Sequence, residues 1–600
     1  MKLNLKSGNE NGFVLLSIIM LTVILEGYAA TSLVGQLQEI RLARYNQMKS
    51  EAMYAAQGVA DRGLALLALS IASFSVTDIT NNQSYNVTYS DGRTVGSYRI
   101  MCVTPDTSLG CSASARENCS LDKCQRYVIT DNGVQKTVQD YEIIATANHP
   151  DNTGFSSVLP ITASSTVHQV AQLKQTSIFS YSIFYNSDLE MLPGPNMIMT
   201  GQIHANGDMY LASQTAGNYL RLDSSFVHAT GDMYHRRKDN PNAPMPGDVQ
   251  IRKSGTSGAC SSSTCPSMTF DSSSATWAAD ATTTWNGSVQ SSDMGVQFIQ
   301  PVTIPSIQPS GFYYNNAGLR IENGTVSKRQ ANGTYADITS DPCMTSVANS
   351  GGVTGAVINT NAQFRNVREN ASYNVIVTDI DMDRLIRSSC YPSNGLIYAT
   401  RTNAMPANGQ TQATSHGVRL INGSQATPTG TTAGLTMVTN DPLYVKGDLN
   451  NPVNPANRRS VALISDALNI LSNAWTDANS TNTLANRVAT NTTVNAGFVS
   501  GVVPTAGSQY SGGLENYPRF LEKWTGITAS IGGAFINLWN SSIGTGQWIP
   551  TGTSGNSYNA PVRSWAYDSG LQSTPPPFTP IGVEVVTSNW GQEAKELIYL

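Results

Sequence analysis

The stretch NGFVLLSIIMLTVILEGYAA, residues 11–30, decides how the rest of the chain is organised. Thirteen uncharged residues run from Phe13 to Leu25, and Glu26 then interrupts the apolar character. Lys2 and Lys6 precede this run, and positively charged flanks stay on the cytoplasmic side of a membrane. The run therefore predicts that everything after it is exported.

Three fates are open for such a run: removal as a secretory signal, retention as an anchor, or retention as part of a longer helix. A cleaved secretory signal ends in a small-x-small site, and the residues from Gly27 to Ala30 offer a poor one. From Thr31 to Leu67 apolar residues continue mostly at three- and four-residue steps, which is the pattern of one helix face. No proline occurs before Pro105, so we expect one helix over residues 13–75, membrane-inserted first and amphipathic afterwards.

A short basic leader over residues 1–12, the junction Gly12-Phe13 and this long helix resemble the prepilin signature of type IV pilins and type II secretion pseudopilins. The segment AMYAAQG, residues 52–58, lies in a stretch similar to the N-terminal region of PilX-type minor pilins. The resemblance implies that a prepilin peptidase cuts between Gly12 and Phe13 and that Phe13 becomes N-methylated. It also implies that the apolar helix stays on the mature protein as its assembly element.

Glu26 marks a departure from the family pattern. Major pilins carry a glutamate at the fifth position of the mature chain, where this sequence has Ser17. A charge at bilayer depth costs about 2.5 to 3.5 kcal/mol, so Glu26 either pairs with a partner or lies near the lipid headgroups. The missing early glutamate favours a minor, initiating subunit over a major pilin.

The composition favours extracytoplasmic β structure, because only 13% of the residues are charged while Gly, Ser, Thr and Asn are abundant. A net charge of −5 opposes binding to nucleic acid. Residues 76–177 show alternating apolar residues and turns such as Asn132-Gly133. We therefore expect an α+β N-terminal region, a long helix on a pilin-like antiparallel sheet, followed by a large mainly-β module.

A repeat appears in the next part of the chain. IHANGDMY, residues 203–210, returns as VHATGDMY, residues 227–234, after 24 residues. Gly-Asp turns with a period in the twenties favour the stacked rungs of a β-solenoid. Residues 178–390 are thus predicted to be a β-rich module for which a solenoid is one option. Residues 391–600 are predicted to form a C-terminal β-rich module with short helices.

The eight cysteines are an even number, which suits disulfides in an oxidising compartment. Zinc is the rival explanation, but no C-x-x-C pair occurs and no histidines cluster near the cysteines. Spacing does not fix the connectivity. Proximity along the chain pairs Cys102 with Cys111, Cys119 with Cys124, Cys260 with Cys265, and Cys343 with Cys390.

The repeat also invites a metal interpretation, since it carries His204, Asp208, His228 and Asp232. Stacked identical residues, however, are also what a structural repeat produces. A second candidate is TDIDMDR, residues 378–384, which has aspartates like the start of a calcium loop. It lacks the glycine and the later glutamate of such a loop, so a strand end that leads into a short helix is preferred.

Carboxylates in the last third offer no catalytic pair. Glu515 and Glu522 flank Arg519 at four- and three-residue spacing, which favours local ion pairs over a glycosidase pair. Asp466 has no evident partner and is interpreted as a cap or turn carboxylate. We expect no enzyme activity, no cofactor and no metal.

The sequence thus predicts an exported minor pilin or pilin-like subunit that primes or caps a type IV pilus-like fibre and displays an adhesion module. Expected partners are other pilins, the prepilin peptidase, the inner membrane before assembly, and a host-surface or polysaccharide ligand, but no nucleic acid. The protein would cross the inner membrane once before assembly and then reach the pilus or cell surface, with most of the chain outside. The alternative is a membrane-anchored β-helix enzyme that acts on extracellular polysaccharide.

One prediction concerns the histidines of the repeat. The double variant His204→Asn/His228→Asn should keep its fold and melt at only a modestly lower temperature, because a structural repeat needs no metal there. Elemental analysis of the purified protein checks this expectation. Stoichiometric zinc or copper that disappears in the double variant would contradict it.

Overall fold

The computed structural model describes residues 10–76, 79–88, 90, 92, 94–112, 119–131, 134–149, 163–369, 372, 374–402, 415–550 and 553–592. The side chains of residues 10–13, 588–590 and 592 are not described. Most of the predicted leader, residues 1–9, therefore lies outside the described residues, as does the predicted turn at Asn132-Gly133.

The first strands run from the start of the first sheet through the repeat region. They are β1 (Tyr85–Thr88), β2 (Thr94–Cys102), β3 (Arg126–Asp131), β4 (Val134–Asn148), β5 (Ser164–Ser177), β6 (Tyr181–Tyr185), β7 (Leu189–Met191), β8 (Met197–Thr200), β9 (Gln202–Ala205), β10 (Met209–Leu211), β11 (Tyr219–Asp223), β12 (Val227–Ala229), β13 (Met233–Tyr234), β14 (Asp248–Ile251), β15 (Val289–Gln290), β16 (Ile299–Gln300) and β17 (Leu319–Glu322).

The remaining strands are β18 (Thr325–Arg329), β19 (Tyr335–Asp337), β20 (Val347–Ala348), β21 (Thr354–Gly355), β22 (Ile358–Arg365), β23 (Asn374–Asp381), β24 (Leu396–Thr400), β25 (His416–Ile421), β26 (Leu435–Val438), β27 (Pro442–Lys446), β28 (Val461–Ser465), β29 (Ala467–Leu471), β30 (Thr492–Val494), β31 (Gly497–Val502), β32 (Arg519–Phe520), β33 (Thr528–Asn540), β34 (Val562–Tyr567) and β35 (Ile581–Gln592). The α-helices are α1 (Glu10–Ala72), α2 (Trp277–Trp285), α3 (Phe312–Asn316), α4 (Pro342–Thr345), α5 (Met382–Leu385) and α6 (Gly570–Ser573).

The helix α1 is continuous, as its proline-free sequence predicts. Its second part packs on the first sheet through a face that starts at Met48 and includes Ala52, Ala56 and Ala60, all fully or almost fully buried. These alanines let the helix backbone approach the sheet closely. Gly63 serves the same purpose, because an added Cβ would lie 2.8 Å from the Tyr98 ring.

The first sheet receives its fifth strand from the far end of the chain. Its strands follow the order β1-β2-β4-β5-β35-β16, with β3 paired to β4. β35 runs antiparallel to β5 from Ile581 opposite Ser177 to Gln592 opposite Val167. Between Ser177 and Ile581 the chain contributes only the two-residue strand β16 to this sheet, so the large β-rich module is inserted between β5 and β35.

The disulfides within the first sheet differ from the pairing expected from proximity along the chain. Cys102 is joined to Cys124, and Cys111 to Cys119. The reason is an antiparallel bridge between Pro105 and Cys124, which brings the end of β2 against the segment before β3. Cys260 is joined to Cys265 and Cys343 to Cys390, as the sequence indicated.

The inserted module is built mainly from parallel ladders. In the repeat region, successive passes of the chain add one strand each to the ladders β6-β9-β12-β15, β7-β10-β13 and β8-β11-β14. Later strands continue the first ladder through β33, which pairs in parallel with β6. At one edge of this sheet β17 pairs in parallel with β24, and β18 and β19 then add antiparallel strands. The structure therefore has a large β-rich module, and it does not show one uniform array over residues 178–390.

The two copies of the octapeptide repeat lie on neighbouring strands in register. Met209 is paired with Met233, and both methionines are fully buried in the module core. Tyr210 and Tyr234 point the other way, and their rings stack with centroids 5.1 Å apart. The 24-residue spacing is therefore one complete pass around the module.

The Gly-Asp step of the repeat holds neighbouring passes together. The backbone N–H of Asp208 donates to Asp188 Oδ1 at 2.9 Å, and the N–H of Asp232 donates to Asp208 Oδ1 at 2.8 Å. The preceding glycine is required for space, because a Cβ on Gly231 would overlap with that same Asp208 oxygen. In both copies of the repeat, the glycine thus leaves room for the aspartate of the preceding pass.

We expect Gly231→Ala to destabilise the module by about 1 to 3 kcal/mol, the usual cost of overpacking. Gly194→Ala is the matched control, because its added Cβ would have a nearest neighbour 3.9 Å away. Thermal unfolding of both variants should show a lower midpoint for Gly231→Ala alone. Equal midpoints would contradict this role of the glycine.

Candidate functional site

The first half of α1 is apolar and exposed. By length and composition α1 is a helix that could cross a membrane, and none of its most apolar window is buried. The large apolar side chains from Val14 to Leu25 are all exposed. The exposure continues beyond the predicted membrane-inserted third, because Leu33, Ile40 and Leu42 are each more than half exposed. We call residues 14–42 the apolar arm.

Two threonine hydroxyls inside the apolar arm bind carbonyl groups of the helix itself. The Thr22 hydroxyl donates to the Ile18 carbonyl at 3.0 Å, and the Thr31 hydroxyl donates to the Gly27 carbonyl at 3.0 Å. Glu26 lies between them with an exposed side chain. Gly12 and Phe13, the predicted cleavage site, lie near the start of α1, and their side chains lie outside the described part of the chain.

Besides the chain connections that follow β5 and precede β35, side-chain contacts lie at the junction of the inserted module with the helix and the first sheet. Phe74, just after α1, stacks on Phe312 of the module with ring centroids 4.1 Å apart. Within the sheet, the Lys136 ammonium group binds Asp131 Oδ2 at 2.8 Å and Glu584 Oε2 at 2.6 Å. The Phe74–Phe312 stack therefore joins the end of α1 to the module, while the Lys136 ion pairs join β3, β4 and β35 within the sheet.

The two histidines of the repeat lie at this junction. A cavity of about 140 Å³ is lined by Asp131, Lys136 and Glu584 from the sheet and by His204 and His228 from the module. His204 Nε2 is 3.0 Å from Asn206 Oδ1, and its ring stacks on Phe184. Among the residues that the structure describes, no three His, Cys, Asp or Glu side chains form a group that could hold a metal ion.

Both histidines are held in the neutral form by burial. Burial lowers the pKa of His204 from 6.5 to about 4. Burial, followed by the neighbouring His204, lowers the pKa of His228 to about 3. Lys136 contributes in the same direction at both sites, and Asp131 opposes it at His228.

The aspartates of residues 378–384 are engaged within the fold. β23 ends at Asp381 and α5 begins at Met382, which is the strand end and short helix that the sequence indicated. Asp379 forms two hydrogen bonds with Arg419, at 2.7 and 2.9 Å. Asp383 accepts from the Ser350 backbone N–H at 2.6 Å.

Asp466 has the turn role that the sequence indicated. Its carboxylate accepts from the backbone N–H groups of Ser542, Ile543 and Gly544 at 2.6, 3.1 and 2.7 Å. The carboxylate therefore organises the loop that follows β33.

The predicted local ion pairs around Arg519 are wrong. Arg519 pairs with Glu369, which is distant in sequence. Glu522 instead accepts from the Ser472 N–H at 2.7 Å, and Glu515 accepts from the Leu192 N–H at 2.6 Å. The reason is that three- and four-residue spacing brings side chains together only on a helix, and Arg519 lies in the strand β32.

Comparisons with known proteins add little to this geometry. No protein-family model matches the chain. A search of the curated proteins also finds no match. Among solved structures, the chain is similar to the competence-associated pilin ComZ from Thermus thermophilus, with 10% identity over 92% of this chain and 98% of that one. The TM-score is 0.25, so the likeness carries no argument about fold or function.

The junction histidines generate a pH prediction. Between pH 6.5 and about 4 the unfolded chain binds protons on these imidazoles and the folded chain does not, so stability falls as the pH falls through this window. The shift at His204 alone corresponds to about 3 kcal/mol.

We expect the thermal midpoint to fall from pH 6.5 to pH 4, and the double variant His204→Asn/His228→Asn to lose part of that dependence. Calorimetry of both proteins across the window measures the difference. The same pH dependence in both would show that the imidazoles do not account for it.

Proposed function

We propose that this chain is a minor, pilin-like subunit that is held in the inner membrane by α1 and then incorporated into a type IV pilus-like fibre. The observation that carries this proposal is the difference in burial between the two parts of α1. Its second part, from Met48, is buried on the chain's own sheet, while the apolar arm is exposed along its length. An exposed apolar surface of this extent is normally covered by other apolar groups. Lipid would cover it in the membrane, and neighbouring pilin helices would cover it in the fibre.

The inserted module favours a position at the fibre tip, with a role in adhesion or display. Its attachment between β5 and β35 adds about 400 residues, the size of several ordinary domains, to one side of the sheet. Such a bulk is hard to repeat along a packed fibre, but it can be accommodated once at the end. Priming or capping a fibre is therefore the role we assign. The stacked parallel ladders support a solenoid-type organisation for the first part of this module.

An extracytoplasmic location is supported by the four disulfides, because such bonds persist in oxidising compartments. The expected partners are other pilins and a prepilin peptidase. The alternative, an enzyme that acts on polysaccharide, would need two carboxylates placed to act on one glycosidic bond. Asp466 and Glu522 do not favour it, because both carboxylates bind backbone N–H groups of the fold.

The proposal is tested at the start of α1. We expect mature protein to begin at Phe13, with an N-methyl group, because a prepilin peptidase would cut after Gly12. Gly12→Trp should block cleavage by overfilling the pocket that accepts a small residue, and it should abolish incorporation into fibres. Mass spectrometry of the N-terminal peptide measures the cleavage.

Gly35→Trp is the matched control, because Gly35 lies on the same helix and an added Cβ would meet no atom within 4 Å. This variant should be cleaved normally. A mature N-terminus near Thr31 would indicate a secretory signal, and an intact Met1 would indicate an uncleaved anchor. Either result would contradict the proposal.

A further inference from the structure

The outer end of the apolar arm carries two arginines, Arg41 and Arg44. Arg41 is exposed, and it forms no ion pair or hydrogen bond with any residue that the structure describes. Arg44 follows nearly one helical turn later and is half-buried. No acidic residue lies between Arg41 and Lys49, so this part of α1 is positively charged in a chain whose net charge is −5. The two arginines are therefore a candidate site for a negatively charged partner.

The chain's own sheet begins to cover α1 only beyond these arginines. Among the described side chains of the helix, Met48 is the first that is buried. It follows Arg41 by almost two helical turns, about 10 Å, so the two side chains leave the helix on the same side. Glu39 lies on nearly the opposite side, since two residues turn a helix by about 200°. Sequence patterns did not single out Arg41, because its significance depends on where the sheet first contacts the helix.

The position of the arm in a bilayer follows from its length and from the polar residues before it. A hydrocarbon core is about 30 Å thick, which is about 20 helical residues, whereas the apolar run before Glu26 is only about 20 Å long. A core that ended at Glu26 would draw Glu10 and Asn11 into the hydrocarbon, together with the amino terminus after the proposed cleavage. A core that begins at Phe13 and ends near Ser32 contains a single charged side chain, Glu26, and is therefore favoured.

This placement brings the arginines to the outer headgroup layer. That layer extends to about 35 to 38 Å from the inner edge of the hydrocarbon core. The helix from Phe13 to Arg41 is about 42 Å long. An average tilt of about 20° lowers this height to about 39 Å, so Arg41 borders the headgroups. Side chains of a helix are directed toward its N-terminus, so both arginines leave α1 in the direction of the bilayer.

We propose that Arg41 and Arg44 bind the phosphate groups of anionic phospholipids in the outer leaflet of the inner membrane before the subunit is assembled. An arginine can donate two parallel hydrogen bonds to a phosphate, and its long side chain reaches toward the interface from outside. A zwitterionic headgroup pairs its phosphate with its own ammonium group, whereas an anionic headgroup leaves that charge unpaired. This inference deepens the function proposed above and rests on it, because it requires α1 to lie in the membrane.

The test uses the full chain in phosphatidylcholine vesicles, with spin-labelled phosphatidylglycerol and spin-labelled phosphatidylcholine as probes. EPR spectroscopy measures the fraction of each probe that is immobilised by the protein, and the two fractions give a relative association constant. We expect phosphatidylglycerol to be preferred. Arg41→Gln/Arg44→Gln should lower the preference by about 3- to 5-fold, because a basic residue near a membrane surface contributes a factor of about 5 and other lipid positions dilute it.

Lys49→Gln is the matched control, because it removes the same charge from the same helix about 12 Å farther from the bilayer than Arg41, and it should keep the wild-type preference. Arg41→Lys/Arg44→Lys should keep more of the preference than the glutamine variant, since only the paired hydrogen bonds are lost. Equal association of both probes with the wild type overturns the proposal, as does a preference that the glutamine variant retains in full or that Lys49→Gln lowers equally. Displacement of phosphatidylglycerol by inorganic phosphate at constant ionic strength would indicate a site for a free anion and would also overturn it.

Failure of this inference is separable from failure of the proposed function. Flotation of the vesicles on a density gradient measures whether the protein is inserted. A protein that does not float with the vesicles contradicts the membrane role of α1 and overturns both proposals. An inserted protein without a preference for phosphatidylglycerol overturns this inference alone, and the fibre proposal then stands on cleavage after Gly12.

Discussion

The antiparallel ladder between β5 and β35 determines how the two parts of this molecule relate to each other. Because β35 comes from the far end of the chain, the module between Ser177 and Ile581 is closed at both ends by neighbouring strands. The backbone N–H of Ile178 donates to the Pro580 carbonyl at 3.0 Å. The two points at which the chain passes between the sheet and the module are therefore also hydrogen-bonded to each other. A module attached by one linker could rotate, whereas this one is held in a fixed orientation.

The same ladder is part of the surface that binds α1. Val583 of β35 is fully buried in the cluster that contains Leu64 and Leu67 of the helix. The second part of α1 thus packs on residues of β2, β4 and β5 and also on a residue of the C-terminal strand β35. The apolar arm makes no comparable contact within the described part of the chain. The second part of this continuous helix is therefore packed within the chain's own fold. The apolar arm instead exposes its surface for contact with lipid or other proteins.

Sequence patterns were reliable where a local rule determines the structure. Absence of proline and helical spacing predicted α1, and the position of Asp381 at a strand end followed from its neighbours. Sequence patterns did not predict contacts between segments that are distant along the chain. Nothing around Ile581 marks β5 as its partner, and the Cys102–Cys124 bridge depends on a strand crossing that proximity along the chain cannot show. Arg519 likewise pairs with Glu369 because the fold brings them together.

The repeat shows both the strength and the limit of sequence reasoning. The recurrence of Gly-Asp-Met-Tyr indicated stacked passes, and each of its residues contributes in a different way. The glycine leaves space, the aspartate binds a backbone N–H of the next pass, the methionine packs in the core and the tyrosine stacks outside. The recurrence alone did not reveal that the stack continues from β6 to β33, a strand from near the far end of the module.

The short connection between β5 and β6 has a mechanical consequence. β6 begins four residues after β5 ends, so a pull on the module reaches the sheet directly at β5 and β35. Ile581 lies opposite Ser177 at one end of this antiparallel pair, so a pull on the module acts on both strands at the same end. Such a pull reaches α1 through the apolar cluster that Val583 of β35 shares with Leu64 and Leu67.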